Sequence, residues 1–222
     1  MAVSPFDVPG FYDRALATGK HRDIVGGRWD ETGRAQMQIL HDVGLTPASH
    51  LLDIGAGSLR LGCKAVEVLN PGHYWATDLS RELMLRGRET ELTDPARLDP
   101  SHLISDGSFD FPGVPPEITH AICFAVFTHL PMHYLRRALV NLRQTCPAIE
   151  RFAFTVFLAP DAQSLVQPYR QRDGVVTHDL RAPYHMLAGD VLLMAAQCGW
   201  KVSADPMMLP RGQALFVAQP AK

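Results

Sequence analysis

Leu51-Leu52-Asp53-Ile54-Gly55-Ala56-Gly57-Ser58 is the stretch on which the fold turns. Four residues suited to a buried strand run into two glycines one residue apart, and residues 60–69 (RLGCKAVEVL) then carry apolar side chains at helical spacing. Glycine accepts a positive φ and lets a ligand approach the main chain without meeting a Cβ, so strand, glycine turn and helix in this order form a ligand-binding corner. A dinucleotide site asks for a third glycine at position 60, where the pyrophosphate rests on the helix. Arg60 stands there instead, and the nicotinamide or flavin fingerprint fails.

Outward from this corner, buried-strand patterns alternate with amphipathic ones. Strands are expected at residues 50–54, 73–77, 102–105, 121–126, 151–157, 201–204 and 214–219. Helices are expected at 60–69, 81–92, 132–146 and 187–200, with Ser80 as a cap, Pro131 at a first turn and Gly199 at a helix end. The alternation predicts an α/β fold, a Rossmann-like three-layer sandwich with a mostly parallel sheet. Two pieces exceed the minimal unit. Residues 1–45 hold a helical pattern at 31–43, and residues 159–185 contain Pro160, Pro168, Pro183 and an Asp173-Gly174 turn, read as an ordered loop. Both are expected to cover the carboxyl ends of the strands, where such sheets bind ligands.

At 222 residues and 46% hydrophobic, the chain is expected to form one domain over 1–222. A formal charge of -2 supplies no surplus cation for a phosphate backbone or an anionic membrane, so nucleic acid and membrane partners are not expected. No signal-like start or long apolar run is present, and a cytoplasmic protein is the expectation. Cys63, Cys123, Cys146 and Cys198 form no CxxC pair, and no metal site is expected. Nothing in the sequence sets an oligomeric state.

Two acids end strands. Asp78, followed by Leu79, closes the second and suits a ribose diol; Asp106, followed by Gly107, closes the third within reach of an adenine. A glycine turn with two strand-end acids suits a nucleoside without phosphates that carries a positive centre and an amino-acid tail.

With these residues in view, the chain resembles the class I S-adenosylmethionine-dependent methyltransferases over residues 51–219. It is most similar to a bacterial group with three segments, here Gly26-Gly27-Arg28-Trp29-Asp30-Glu31, Gly55-Ala56-Gly57-Ser58-Leu59-Arg60 and Val126-Phe127-Thr128-His129-Leu130-Pro131. Pro183-Tyr184-His185 and Pro210-Arg211-Gly212-Gln213 resemble the same group's later segments. The resemblance implies a seven-stranded sheet with an antiparallel last strand and S-adenosylmethionine as cofactor, with S-adenosylhomocysteine (SAH) as product. It also implies cofactor contacts among Trp29, Asp53, Gly55, Ala56, Gly57, Ser58, Arg60, Asp78, Leu79, Asp106, Gly107 and Phe124. The chain departs from the pattern at Leu59 (third glycine of the commonest turn), Leu61 (a further glycine) and Thr119 (often Asp).

Methyl transfer needs in-line alignment of the nucleophile first and a base second. His129, Tyr184 and His185 are the catalytic candidates, with His133 and His178 behind them, and the acceptor is expected to be a small molecule methylated on oxygen or nitrogen. Each histidine also has a structural alternative, such as a loop hydrogen bond for His129. Two other readings stay open: an enzyme that uses the same cation for rearrangement, cyclisation or decarboxylation, and a partner subunit that keeps the fold without catalysis.

Overall fold

The computed structural model describes residues 10–205, 207 and 209–221. In chain order it contains α1 (Phe11–Ala17), α2 (His21–Ile24), α3 (Trp29–Asp42), β1 (Leu51–Ile54), α4 (Gly62–Val68), β2 (Tyr74–Asp78), α5 (Arg81–Glu91), β3 (Leu103–Ser105), β4 (His120–Cys123), α6 (Met132–Thr145) and β5 (Arg151–Leu158). There follow α7 (Ala162–Leu165), β6 (Tyr169–Arg170), β7 (Val176–Thr177), β8 (His185–Met186), α8 (Ala188–Gln197), β9 (Trp200–Asp205) and β10 (Ala214–Pro220). The main sheet runs β3-β2-β1-β4-β5-β10-β9. Pairings from β3 through β5 are parallel, and β10 lies antiparallel to both β5 and β9. Seven strands with an antiparallel last one were implied by the resemblance, and the path has that form.

The strands sort their side chains by period two, the pleat's own repeat. Leu52, Ile54, Ala121, Cys123, Phe152, Phe154 and Phe216 pack against Leu135, Leu139 and Leu142 of α6 and Val191 and Ala195 of α8. Leu51, Ile122, Ala153 and Leu215 face the opposite layer, with Ile39 and Leu40 of α3, Ala65 and Val66 of α4, and Met84 of α5. Strands buried on both faces explain the continuous apolar runs in the sequence. Ser80 caps α5 by accepting from the Leu83 amide at 3.1 Å, and Gly199, at φ 78, follows the end of α8 in the left-handed form.

Differences from the sequence reading have local causes. The helix after the glycine turn starts at Gly62 rather than at 60, because Leu59 takes φ 61 and delays regular helix. β4 stops at Cys123 rather than running to 126, because Ala125 takes φ 61 and Phe127–His129 close a 3-10 turn. The 159–185 segment is more than an ordered loop. Asp161 caps α7, the turn at Asp173-Gly174 closes a β6–β7 hairpin, and β8 adds a short parallel strand beside Phe157 and Leu158 of β5.

Candidate functional site

The carboxyl ends of β1, β2, β3 and β4 open into a cavity of about 340 Å3. Its floor is the turn after β1. The amides of Gly55 and Ala56 both donate to the Thr77 carbonyl of β2, at 2.7 and 3.1 Å, which bends the chain sharply. Gly55 has φ +74, and a Cβ there would come within 2.2 Å of Val126 Cγ2; at Gly57, φ +56, it would meet Val25 Cγ1 at 2.5 Å. These two positions therefore require glycine for conformation and for space.

Asp78 ends β2 buried, with Oδ2 accepting from the Gly57 amide at 2.9 Å and Oδ1 from the Ser80 amide at 3.0 Å. Burial raises its pKa, and the backbone donors work against that rise. Asp106, after β3, accepts from the amides of Ser108, Asp110 and Phe111 at 2.9, 3.3 and 2.9 Å, and so shapes the loop that lines the cavity. Asp53 points elsewhere: it accepts from the Tyr74 hydroxyl at 2.7 Å, and burial pushes it up to about 7.

The roof comes from the N-terminal segment. Arg60, 8% exposed, sends Nη1 to the carbonyls of Val25 (2.9 Å) and Gly27 (3.2 Å) and Nε to Gln36 Oε1 (3.3 Å). Arg211, from the turn before β10, donates Nη2 to the Gly26 carbonyl at 2.6 Å. Two arginines from different elements thus hold three successive carbonyls, which the positive φ values of Gly26 and Gly27 help to present. Asp173 of the hairpin accepts from the Arg211 amide (2.8 Å) and from Arg28 Nη1 (3.4 Å), tying the insert into the same roof. Desolvation lowers the Arg60 pKa to about 10.

Gly55, Ala56, Gly57, Arg60, Asp78, Leu79, Asp106, Gly107, Phe124 and His129 all line the cavity. Trp29, Asp53, Ser58, Tyr184 and His185 are outside its lining. Trp29 packs under Arg22, whose Cζ lies 5.0 Å from the ring centroid, and the Ser58 hydroxyl donates to the His21 carbonyl at 2.8 Å. His185 is buried in β8 with Nδ1 2.7 Å from Thr177 Oγ1 and Nε2 2.8 Å from the Leu165 carbonyl. The Tyr184 amide donates to the Thr128 carbonyl at 2.7 Å. His129 is held to about 4 by desolvation and by the charge of Arg211, so its imidazole is neutral at pH 7. His133 leans on Tyr134, with ring centroids 4.5 Å apart. Among the described residues no group of three His, Cys, Asp or Glu could hold a metal ion. No helix among them is long and apolar enough to cross a membrane.

The sequence reading did not single out Gln36, Tyr134, Arg211 or Gln213 as lining residues. For the last two a signal existed. Pro210-Arg211-Gly212-Gln213 is a tight turn, with φ 65 at Arg211 and φ 75 at Gly212, immediately before a strand.

No protein-family model matches the chain, and no curated protein matches it in sequence. Solved structures do match. The magnesium protoporphyrin IX methyltransferase ChlM of Synechocystis PCC 6803 with bound SAH aligns at TM-score 0.62 and 13% identity, covering 95% of this chain and 88% of that one. A TehB-like SAM-dependent methyltransferase from Corynebacterium glutamicum ATCC 13032 aligns at 0.60 and 14%, covering 96% and 100%. The glycopeptide N-methyltransferase MtfA complexed with sinefungin aligns at 0.61 and 14%, covering 97% and 98%. What the chain shares with these proteins is their Rossmann-like methyltransferase fold.

Proposed function

We propose that the protein is an S-adenosylmethionine-dependent methyltransferase that acts on an oxygen or nitrogen of a small molecule. The observation that carries this reading is the cavity floor: two obligatory glycines flanked by strand-end Asp78 and Asp106, at the carboxyl edge of a sheet with this fold. A cradle that a Cβ would fill suits a ligand lying flat on the main chain. The start of α4 is closed by the buried Leu59 and Leu61, which argues against a pyrophosphate resting there. When bound, S-adenosylmethionine supplies an electrophilic methyl group and leaves as SAH.

In this reading Asp78 orients the ribose and Asp106 the adenine, while Gly55, Gly57 and Arg60 hold the amino-acid tail. The roof over residues 25–27 excludes water from the reacting centre. His129, neutral at pH 7, takes the proton of an acceptor hydroxyl or ammonium, and its low basicity makes alignment the larger contribution. Tyr184 and His185 serve as supports of the insert. A cavity of about 340 Å3 lies at the low end of small-molecule sites, which favours a compact acceptor.

The test is incubation with methyl-labelled S-adenosylmethionine and a panel of small hydroxyl and amine compounds. Label in an acceptor together with SAH supports methyl transfer. Consumption of the cofactor to methylthioadenosine or to a decarboxylated product instead contradicts it in favour of the other cation chemistry.

A further inference from the structure

We infer that the acceptor end of the cavity recognises an anionic oxygen group, a carboxylate on a small apolar molecule, with Gln213 as its hydrogen-bond donor and Arg211 as its counter-ion. This rests on the methyl-transfer reading and adds the substrate class.

Gln213 lines the cavity and is 6% exposed. Its amide is oriented by a relay. The Ala125 amide donates to Thr155 Oγ1 at 2.8 Å, which leaves the threonine hydroxyl hydrogen to donate onward, and Gln213 Oε1 stands 2.6 Å from that oxygen. Such a length belongs to O–H···O and is short for N–H···O, so Oε1 faces Thr155 and the NH2 group faces away from it. Among the described residues that NH2 group makes no hydrogen bond. Two residues earlier, Arg211 also lines the cavity, and its guanidinium is bonded to the Gly26 carbonyl but to no carboxylate among the described residues.

The carboxylates on the cavity wall, Asp78 at the end of β2 and Asp106 just after β3, lie across β1, β4 and β5 from Gln213 in the sheet order, and both already accept from backbone amides. The cavity lining also carries apolar side chains at Leu130, Phe157, Val175 and Pro183, beside the polar Thr128, His129 and Tyr134. A donor-rich end calls for a ligand that brings acceptor atoms. A charged oxygen gains charge-assisted bonds there, whereas an amine would meet the arginine's charge and leave the glutamine NH2 unpaired.

The experiment uses protein saturated with SAH and titrates benzoate, benzamide and methyl benzoate by calorimetry or NMR. Benzoate should bind at least tenfold tighter than either neutral compound. Gln213→Glu should abolish that preference, and Thr155→Val, which releases the amide, should weaken it severalfold; SAH binding on the same samples reports that each variant is folded. Benzoate binding no tighter than benzamide, or no binding by any of the three while SAH is bound, would overturn the inference. Failure of the wild-type protein to bind SAH would instead overturn the methyl-transfer reading.

Discussion

Leu59 holds a backbone conformation made for glycine, at φ 61, yet is fully buried in the layer beneath the glycine turn. The left-handed form costs an L-residue about 1–2 kcal/mol, and removing a buried leucine side chain costs about 2–5 kcal/mol. Burial wins, so Leu59→Gly should destabilise the protein by roughly 2 kcal/mol despite restoring the commonest motif; urea unfolding checks this, and an unchanged midpoint contradicts it. The departure was legible in the sequence. That the backbone would keep glycine's φ was not, because only tertiary burial makes the strain tolerable. Asp53 and Ser58 show the same limit: both sit in the motif, but their partners, the Tyr74 hydroxyl and the His21 carbonyl, come from distant segments.

Two desolvated groups give opposite pH dependences. Asp53 ionises near 3.8 when free and near 7 in the fold, so the folded state holds the proton more tightly, and stability present below about 3.8 is lost as pH rises through about 7. His129 falls from 6.5 to about 4, so the stability it leaves intact above 6.5 is lost as pH drops towards 4. Asp53→Asn should therefore gain roughly 2–4 kcal/mol at pH 8 relative to its effect at pH 4, at 1.36 kcal/mol per pKa unit. Denaturant melts at the two pH values decide it, and equal effects at both would contradict the assignment.

At the scale of elements, the long helices and central strands were readable because each carries a sustained period. The two-residue strands β6, β7 and β8 carry none, and their pairing depends on partners elsewhere in the chain. His185 belongs to this layer. Its two ring nitrogens bridge β7 and the end of α7, so His185→Ala should lower stability by about 1–3 kcal/mol by leaving a buried polar partner unmatched. Thermal melting reads that loss; unchanged stability with abolished turnover would restore a catalytic role. The roof makes a parallel prediction. Arg60→Met frees the carbonyls of Val25 and Gly27, and tryptic cleavage after Arg28 should accelerate severalfold. Cleavage at the wild-type rate would show that Arg60 does not hold the segment.

For the molecule as a whole, the alternation of strand and helix patterns was enough to predict the layered sheet, and the glycine corner with the strand-end acids pointed to one edge of the cavity. The other edge was obscure because Arg211 and Gln213 reach it through the antiparallel closing of β10 on β5, a contact made between residues 58 positions apart. Methyl transfer in this fold requires the cavity to hold an adenosyl sulfonium cofactor. Its most direct test is calorimetric titration of the purified protein with SAH, with NAD as control and Asp78→Ala as the site variant. SAH should bind at micromolar concentration, NAD should not bind, and the variant should bind SAH at least tenfold more weakly. At about 100 times the dissociation constant SAH should also add about 2.7 kcal/mol to the stability of the fold. Folded, ligand-free protein that binds no SAH, or binds NAD in its place, would rule out an adenosyl sulfonium site in this cavity.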